Sequence, residues 1–256
     1  MQPFALKTYR MYSEKLDRDV EITVFSSGNN EEIRPLILMH DGQNLFFDKL
    51  ATYGTCWGLL DVLAQDDFPA CVLVGMTCGE DRVRMDEYGP FVFSDYAQRM
   101  TGYDHPVGGK GDAHLRFVFD ELIPSIRADY HVEEKVYLGG SSLGGVIVLY
   151  AALAYPDKVA GIFGLSNAFW VSLDPFIAMI EGFQGALPRI YLDLGDRESD
   201  DPVESQEVLR ADACIVAALR AKNPAAMRHE SIAGGTHNEA SWRLRIAEIL
   251  RWILKK

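Results

Sequence analysis

Residues 136–147 read VYLGGSSLGGVI. An apolar, β-prone run enters this stretch, small residues occupy its middle and a long apolar run leaves it, which predicts a strand, a tight turn and a helix. Gly140, Ser142 and Gly144 form the G-x-S-x-G pattern of a nucleophile elbow, in which a strained turn lifts a serine hydroxyl above a sheet. Ser141 has leucine, not glycine, two places further on. Ser142 is therefore the candidate nucleophile.

Strand and helix patterns alternate on both sides of this stretch. Polar and apolar residues alternate near the N-terminus, which predicts an antiparallel pair with a turn near residues 16–18. Apolar runs predict buried parallel strands at residues 35–40, 70–75, 159–165 and 190–194, and residues 227–232 are predicted to form the last strand. Helical patterns cover residues 54–65, 113–129, 204–222 and 237–252. We expect Asp112 to cap the second of these helices and Pro124 to kink or divide it. The fold class is α/β: a mostly parallel central sheet with an antiparallel N-terminal edge and helices on both faces.

Length and composition fit one large α/β domain covering residues 1–256. The chain is 48% hydrophobic and carries a net charge of −12, which argues against nucleic-acid and anionic-membrane partners. Residues 1–7 lack the basic and apolar regions of a signal peptide, and the longest apolar run, residues 146–155, is too short to span a bilayer. Four cysteines without metal-site spacing indicate free thiols and a cytoplasmic location.

Acidic and basic partners for Ser142 lie after later strands. Functional groups in a doubly wound sheet gather at the carboxyl ends of the strands. His237 lies between the last predicted strand and the last helix, where it can act as general base. Asp196 and Glu198 follow an earlier strand, and we favour Glu198 because it lies farther beyond the strand and has the longer side chain; Asp196 stays the alternative. The order serine, acid, histidine is that of an α/β-hydrolase.

The residues after the strand at 35–40 predict an oxyanion hole. Asp41, Gly42 and Gln43 leave a central strand through a glycine, so the N–H of Gln43 can join that of Leu143, which follows the nucleophile. An ordinary Asp-Gly turn is the alternative.

Three further predictions concern ligands. Asn44 and Trp170 are candidate substrate-binding residues, with core packing as the alternative role of Trp170. His40 is expected to be buried at a strand end, and the remaining histidines lack metal-ligand spacing. No phosphate loop is present, so we expect neither a metal nor a cofactor.

The segment at residues 76–110 is long, irregular and rich in glycine, and it is a candidate cap over the site. Four charged side chains in it are expected to form a local network rather than bind substrate: Arg82, Arg84, Asp86 and Glu87.

With these residues in place, the sequence resembles the α/β-hydrolase family of esterase D, the enterochelin esterases, feruloyl-type carbohydrate esterases and mycolyl transferases. The matching segments span residues 35–253 and include HDGQNLF at 40–46, DEY at 86–88, GGKGD at 108–112, GSSLGG at 140–145, AFW at 168–170 and HNE at 237–239. The resemblance implies a serine esterase with Ser142, Glu198 and His237, because the family places its acid three residues after a glycine like Gly195. It also implies Gln43 as an oxyanion donor. Asn167 and the acidic stretch at residues 196–201 depart from the family pattern.

The leading hypothesis is a serine carboxylic-ester hydrolase that works through an acyl-enzyme on a small or carbohydrate-linked ester. An acyltransferase using the same triad is the alternative. A third hypothesis is a binding module with a decayed site, against which the intact Ser142 and His237 argue. The sequence leaves the acyl group, the alcohol and the oligomeric state open.

Overall fold

The computed structural model describes residues 3–224 and 226–255. Met1 and Gln2, part of the segment predicted to carry no signal peptide, lie outside these residues. Eight strands form one sheet in the order β1-β2-β4-β3-β5-β6-β7-β8. They are β1 Phe4–Ser13, β2 Arg18–Ser27, β3 Leu36–Met39, β4 Val72–Met76, β5 Val136–Ser141, β6 Val159–Leu165, β7 Arg189–Arg197 and β8 Met227–Thr236.

The direction of the strands confirms the predicted fold class. β1 pairs with β2, and β2 with β4, in antiparallel fashion, whereas every pair from β4 to β8 is parallel. The carboxyl ends of β3 and β5 through β8 therefore meet at one edge of the sheet, where functional groups of such folds collect.

Each face of the sheet carries its own apolar core. Leu36 and Leu38 of β3 belong to one cluster, and Ile37 and Met39 belong to the other, as expected for side chains that alternate across a strand. The helices are α1 Leu59–Leu63, α2 Asp81–Tyr88, α3 Asp95–Thr101, α4 Gly111–Arg116, α5 Ile123–Asp129, α6 Leu143–Ala154, α7 Leu173–Gly182, α8 Pro202–Ala221, α9 Glu239–Arg243 and α10 Ile246–Ile253. The second cluster includes residues of α1, α9 and α10, and the first includes residues of α4 to α8.

Several predicted boundaries were wrong. The helix expected at residues 54–65 is confined to α1, because Gly58 takes a left-handed conformation (φ 67°) just before it. Lys110, not Asp112, is the N-cap of α4. Asp112 lies inside that helix, where it accepts a hydrogen bond from Tyr155. The last helical pattern forms two helices, with Asn238 capping α9.

Pro124 divides its helical run as predicted. A π-helical segment, Phe117–Leu122, separates α4 from α5, and Pro124 lies in the first turn of α5. Proline lacks the N–H that would bond to the preceding turn, and its ring clashes with the carbonyl four residues back, so regular α-helical bonding is interrupted there.

Residues 76–110 are more regular than predicted. They contain α2 and α3, and an isolated antiparallel bridge between Val92 and Gly108 pairs the segments before and after α3. The helix α2 is only weakly amphipathic in sequence, since its run DRVRMDEY holds five charged residues. These charged residues mask the apolar periodicity of a helix in the sequence, and one of them, Arg84, lines the cavity that contains Ser142.

Candidate active site

Ser142 is held in the backbone conformation of a nucleophile elbow. It joins β5 to α6 with φ 57° and ψ −122°, a region that non-glycine residues rarely occupy. Two glycines make this turn possible. A Cβ on Gly140 would lie 2.7 Å from the backbone of Gly144, and one on Gly144 would contact His40 and Asp41. The elbow therefore packs directly against the end of β3.

The pairing of β7 with β8 places Glu198 beside His237. Arg197 and Thr236 are partners in the parallel register, so the residues that follow them leave the sheet side by side. His237 Nδ1 lies 2.7 Å from Glu198 Oε2. Asp196 instead accepts a hydrogen bond from the N–H of Gly234 at 2.7 Å and is exposed. Both strands are longer than predicted, and this extension brings the two side chains together.

Glu198 is fixed by hydrogen bonds to its other oxygen. Oε1 accepts from the N–H of Gly195 at 2.6 Å and from the hydroxyl of Ser166 at 2.8 Å. The Ser166 hydroxyl in turn accepts from the indole N–H of Trp242 at 2.8 Å. The side chain of Glu198 is only 3% exposed, whereas that of His237 is 38% exposed. A buried, fully bonded carboxylate can orient the imidazole while the other ring nitrogen faces the cavities.

Ser142 and His237 meet at the boundary between two cavities. Both residues line a larger cavity of about 670 Å³ and a smaller one of about 290 Å³. Among the described residues, no hydrogen bond joins Ser142 Oγ to His237. Such bonds are often long in the absence of substrate and shorten when it binds.

Two backbone amides, those of Leu143 and Gln43, are the predicted donors of an oxyanion hole. Leu143 is the first residue of α6, so its N–H has no partner within the helix. Gln43 lies in a short 3₁₀ turn, Gly42–Asn44, whose first hydrogen bond is donated by Asn44 to Asp41. Gln43 comes one residue before Asn44 in the chain, so its N–H forms no hydrogen bond within this turn. The left-handed conformation of Asp41 (φ 56°) directs the chain from β3 into this turn.

Side chains of α2 hold Asp41 in this conformation. Arg84 donates two hydrogen bonds of 2.8 Å to the Asp41 carboxylate, and the N–H of Asp41 donates to the hydroxyl of Tyr88. Burial alone would raise the pKa of Asp41, but the charge and hydrogen bonds of Arg84 lower it below its ordinary value. Of the predicted local network, only the pair of Arg82 with Asp86 is local, whereas Arg84 and Glu87 pair with the distant residues Asp41 and Arg18. The role of Arg84 in supporting the turn at Gln43 was not predicted, since nothing local in the sequence links residue 84 to residue 41.

Two buried histidines lie behind the same turn. His40 Nδ1 donates to the carbonyl of Gly139 at 3.1 Å, so its Nε2 carries no proton and accepts from His114 Nε2 at 3.1 Å. His114 Nδ1 then has no hydrogen-bond partner, and the nearest carboxylate oxygen, Glu87 Oε2, lies 3.8 Å away. Burial lowers the pKa of His40 to about 4, and it lowers that of His114 well below the ordinary value. Both rings are therefore neutral near pH 7, which confirms His40 as a buried, hydrogen-bonded residue.

Asn44, a predicted substrate-binding residue, lines the larger cavity but uses its polar atoms within the protein. Its Nδ2 donates to Glu239 Oε1 at 2.8 Å, and its Oδ1 accepts from Thr52. The second oxygen of Glu239, Oε2, is buried and has no partner. Burial and the neighbouring Asp41 carboxylate raise the pKa of Glu239. Direct contact between Asn44 and substrate stays a prediction.

Cys78 is the only cysteine among the described residues that line this cavity. Burial and the charge of Asp41 raise the pKa of its thiol to about 12. The thiol therefore stays protonated, and it does not compete with Ser142 as a nucleophile.

Trp170 occupies the position predicted for it beside the elbow. It lines the smaller cavity, and its ring meets that of Tyr96 edge-on at 5.9 Å. It also packs against the first apolar cluster. The side chain thus combines the two roles considered from the sequence, pocket wall and core packing.

Asn167, which departs from the family pattern, is accommodated by glycines. Its Nδ2 donates to the carbonyls of Gly164 and Asp193. A Cβ on Gly145 would lie 1.8 Å from Asn167 Oδ1, so the asparagine requires glycine there.

Comparison with known proteins identifies the family. The model of the family described as "Putative esterase" matches residues 13–253. The chain belongs to this esterase family. The predicted family is thereby confirmed.

Individual relatives are more distant. The uncharacterized protein YbbA of Bacillus subtilis is 26% identical over 167 residues, which cover 64% of this chain and 62% of that protein. The iron(III) enterobactin esterase of Dickeya dadantii is 27% identical, with 94% of this chain and 53% of that protein covered. The chain thus spans between half and two thirds of the length of these curated relatives. An IroE-like serine hydrolase from Shewanella oneidensis has the same fold, with a TM-score of 0.76, 17% identity and coverage of 97% of this chain and 79% of that one.

Within residues 3–224 and 226–255, no group of three or more histidine, cysteine and carboxylate side chains is arranged to hold a metal ion. No helix of that part of the chain combines the length and apolar character needed to cross a bilayer.

Proposed function

We propose that the protein is a serine carboxylic-ester hydrolase in which Ser142, His237 and Glu198 form the catalytic triad. The observation that carries the proposal is the 2.7 Å hydrogen bond between His237 and the buried Glu198, next to a serine in the strained elbow conformation. Membership of an esterase family supports the same chemistry.

In the proposed mechanism, His237 Nε2 takes the proton of Ser142 as Oγ attacks the ester carbonyl carbon. The N–H groups of Gln43 and Leu143 stabilise the oxyanion that forms. When the C–O bond to the alcohol breaks, His237 returns the proton to the departing oxygen, which leaves an acyl group on Ser142. A water molecule, deprotonated by His237, then releases the acid.

The two cavities give the two parts of an ester separate places. Because both are bounded by Ser142 and His237, an ester bond at Ser142 can extend its acyl part into one cavity and its alcohol part into the other. This arrangement also suits the acyltransferase alternative, in which a second alcohol replaces water. A cytoplasmic location and a single domain stay predictions.

The test is hydrolysis of p-nitrophenyl acetate, followed as p-nitrophenol release with and without 1,2-ethanediol as competing acceptor. We expect turnover in water and an acyl-enzyme visible as a 42 Da mass increase. Preferential formation of the glycol ester would identify an acyltransferase. Absence of both turnover and acylation would contradict the proposal and favour a binding module.

A further inference from the structure

The larger cavity holds more carboxylates than cations. Four acidic side chains line it: Asp41, Glu80, Asp81 and Glu239. Among the described lining residues, Arg84 is the only lysine or arginine, and both of its hydrogen bonds to Asp41 are made within the protein. The Asp41–Arg84 pair is therefore neutral, and the three other carboxylates are left without a counter-charge.

Glu80 and Asp81 lie at the exposed rim, at the start of α2. Neither forms an ion pair with a described residue, and neither side chain caps the helix or is used to hold the fold. Exposed carboxylates of this kind attract cations over several ångströms, and the attraction weakens with added salt.

Glu239 gives the cavity an acidic wall. The residue is only 2% exposed, and its Oε2 has no hydrogen-bond partner. A buried carboxylate oxygen without a partner is costly, and a donor supplied by a ligand would remove that cost. A positive charge next to this oxygen also stabilises the ionised carboxylate. A cationic donor therefore satisfies this site better than a neutral one.

Aromatic side chains complete the same cavity. Tyr53 and Trp242 both line it. Carboxylates next to aromatic rings are the chemistry that recognises ammonium groups, since both attract positive charge.

We propose that the larger cavity binds an ammonium group of the ester substrate, with Glu80, Asp81 and Glu239 as its counter-charges. This inference rests on the proposed esterase function, and it names the substrate class as cationic esters. Neither cavity offers an anionic substrate a free lysine or arginine among its described lining residues.

The test compares pairs of esters that differ only in charge. One pair carries the charge on the alcohol, 5-aminopentyl acetate against hexyl acetate. The other carries it on the acyl group, p-nitrophenyl 6-aminohexanoate against p-nitrophenyl heptanoate. In at least one pair we expect kcat/KM to be about tenfold higher for the cation at low salt, falling towards equality in 0.5 M NaCl.

Variants locate the source of this preference. Glu80→Gln combined with Asp81→Asn changes exposed residues only, so the protein should fold, and the cation-to-neutral ratio should fall several-fold. Glu239→Gln should lower the ratio further. Asp157→Asn is the matched control, because this exposed carboxylate precedes β6 at the opposite edge of the sheet and should leave the ratio unchanged.

Failure of this inference differs from failure of the proposed function. Hydrolysis of the neutral esters without any preference for the cations in either pair would overturn the inference alone. If no ester is hydrolysed, binding to Ser142→Ala decides: isothermal titration should detect tighter binding of 5-aminopentan-1-ol than of hexan-1-ol. Equal or absent binding of the two would overturn the inference as well.

Discussion

Two arms of the candidate site hold their functional groups by different means. The triad arm, Ser142, Glu198 and His237, is placed by strand register, the elbow turn and hydrogen bonds to Ser166 and Gly195. The proposed oxyanion arm is a backbone turn at residues 41–43. It is supported by the Asp41–Arg84 ion pair and by the hydrogen-bonded, buried rings of His40 and His114.

This difference predicts how each arm fails. The triad arm presents side chains that react, so changing one of them should remove chemistry and leave the fold intact. The oxyanion arm presents backbone amides, which no substitution other than proline removes, and its side chains act only as supports. Changes there should reduce stability as well as activity.

The largest effect is expected from the triad arm. Ser142→Ala removes the nucleophile, and when a triad acts as a unit the loss of kcat is about 10⁶-fold. The melting temperature should stay within a few degrees, since the small alanine keeps the packing of the turn. Steady-state hydrolysis of p-nitrophenyl acetate measures the loss. Ser141→Ala is the control and should lose far less; if it is the inactive variant, the elbow is assigned to the wrong serine.

Glu198→Gln should lower kcat by about 10³–10⁴-fold with little change in KM. The carboxylate orients His237 and stabilises its charged form, so its loss is less damaging than loss of the nucleophile. Asp196→Asn should change kcat by less than about tenfold, because Asp196 is exposed and bonds only to the Gly234 N–H. A nearly silent Glu198→Gln would indicate a Ser142–His237 dyad.

Asp41→Asn tests the oxyanion arm. It leaves the Arg84 guanidinium without its ion-pair partner, and breaking a buried pair from one side typically destabilises a protein by about 3–5 kcal/mol. We expect the low end of that range, because a quarter of the Arg84 side chain is exposed to water. Urea unfolding measures this, and kcat/KM should fall in parallel. Glu207→Gln, which breaks a surface pair with Arg210, should leave both unchanged.

The buried histidines predict how stability depends on pH. His40 and His114 have lowered pKa values in the folded state, so between about pH 6.5 and pH 4 the unfolded chain binds more protons than the folded one. The free energy of unfolding should therefore fall as the pH drops through that window, by up to about 1.4 kcal/mol per pH unit for each histidine. Urea midpoints at pH 7, 5.5 and 4.5 measure the slope.

Two variants, one at a buried and one at an exposed histidine, test whether the buried pair causes this pH dependence. His114→Leu should flatten the dependence, whereas His131→Gln, at an exposed position, should leave it as in the parent protein. Equal slopes in all three proteins would contradict the assignment to the buried pair.

The smallest effect is expected from Trp170→Ala. Its ring lines the smaller cavity and packs on Tyr96, so we expect KM for an aromatic ester to rise several-fold and the melting temperature to fall by a few degrees. A lower melting temperature with unchanged KM would limit Trp170 to core packing.

The two arms also differ in how much of them the sequence predicts. Ser142, Glu198 and His237 are recognisable because each belongs to a short local pattern at the end of a strand, and strand ends meet in a known way. The sheet and its antiparallel edge followed from hydrophobic periodicity for a similar reason.

The oxyanion arm depends on contacts between distant residues. Arg84 and Tyr88 lie in a charged run with little amphipathic pattern, so neither the helix α2 nor its contact with Asp41 was predicted. His114 lacks metal-ligand spacing, and nothing local in the sequence links it to His40, to which it bonds across 74 residues. Glu239 belongs to the HNE segment at residues 237–239, but only the three-dimensional structure shows that its Oε2 has no hydrogen-bond partner.

Covalent labelling with a fluorophosphonate tests the triad most directly, because phosphonylation requires an activated serine but no particular substrate. Peptide mass spectrometry should find one adduct, on Ser142. Labelling should be at least about 10³-fold slower in His237→Ala and should be retained in Ser141→Ala. An adduct on Ser141, or labelling of Ser142 at an undiminished rate without His237, would contradict the proposed mechanism.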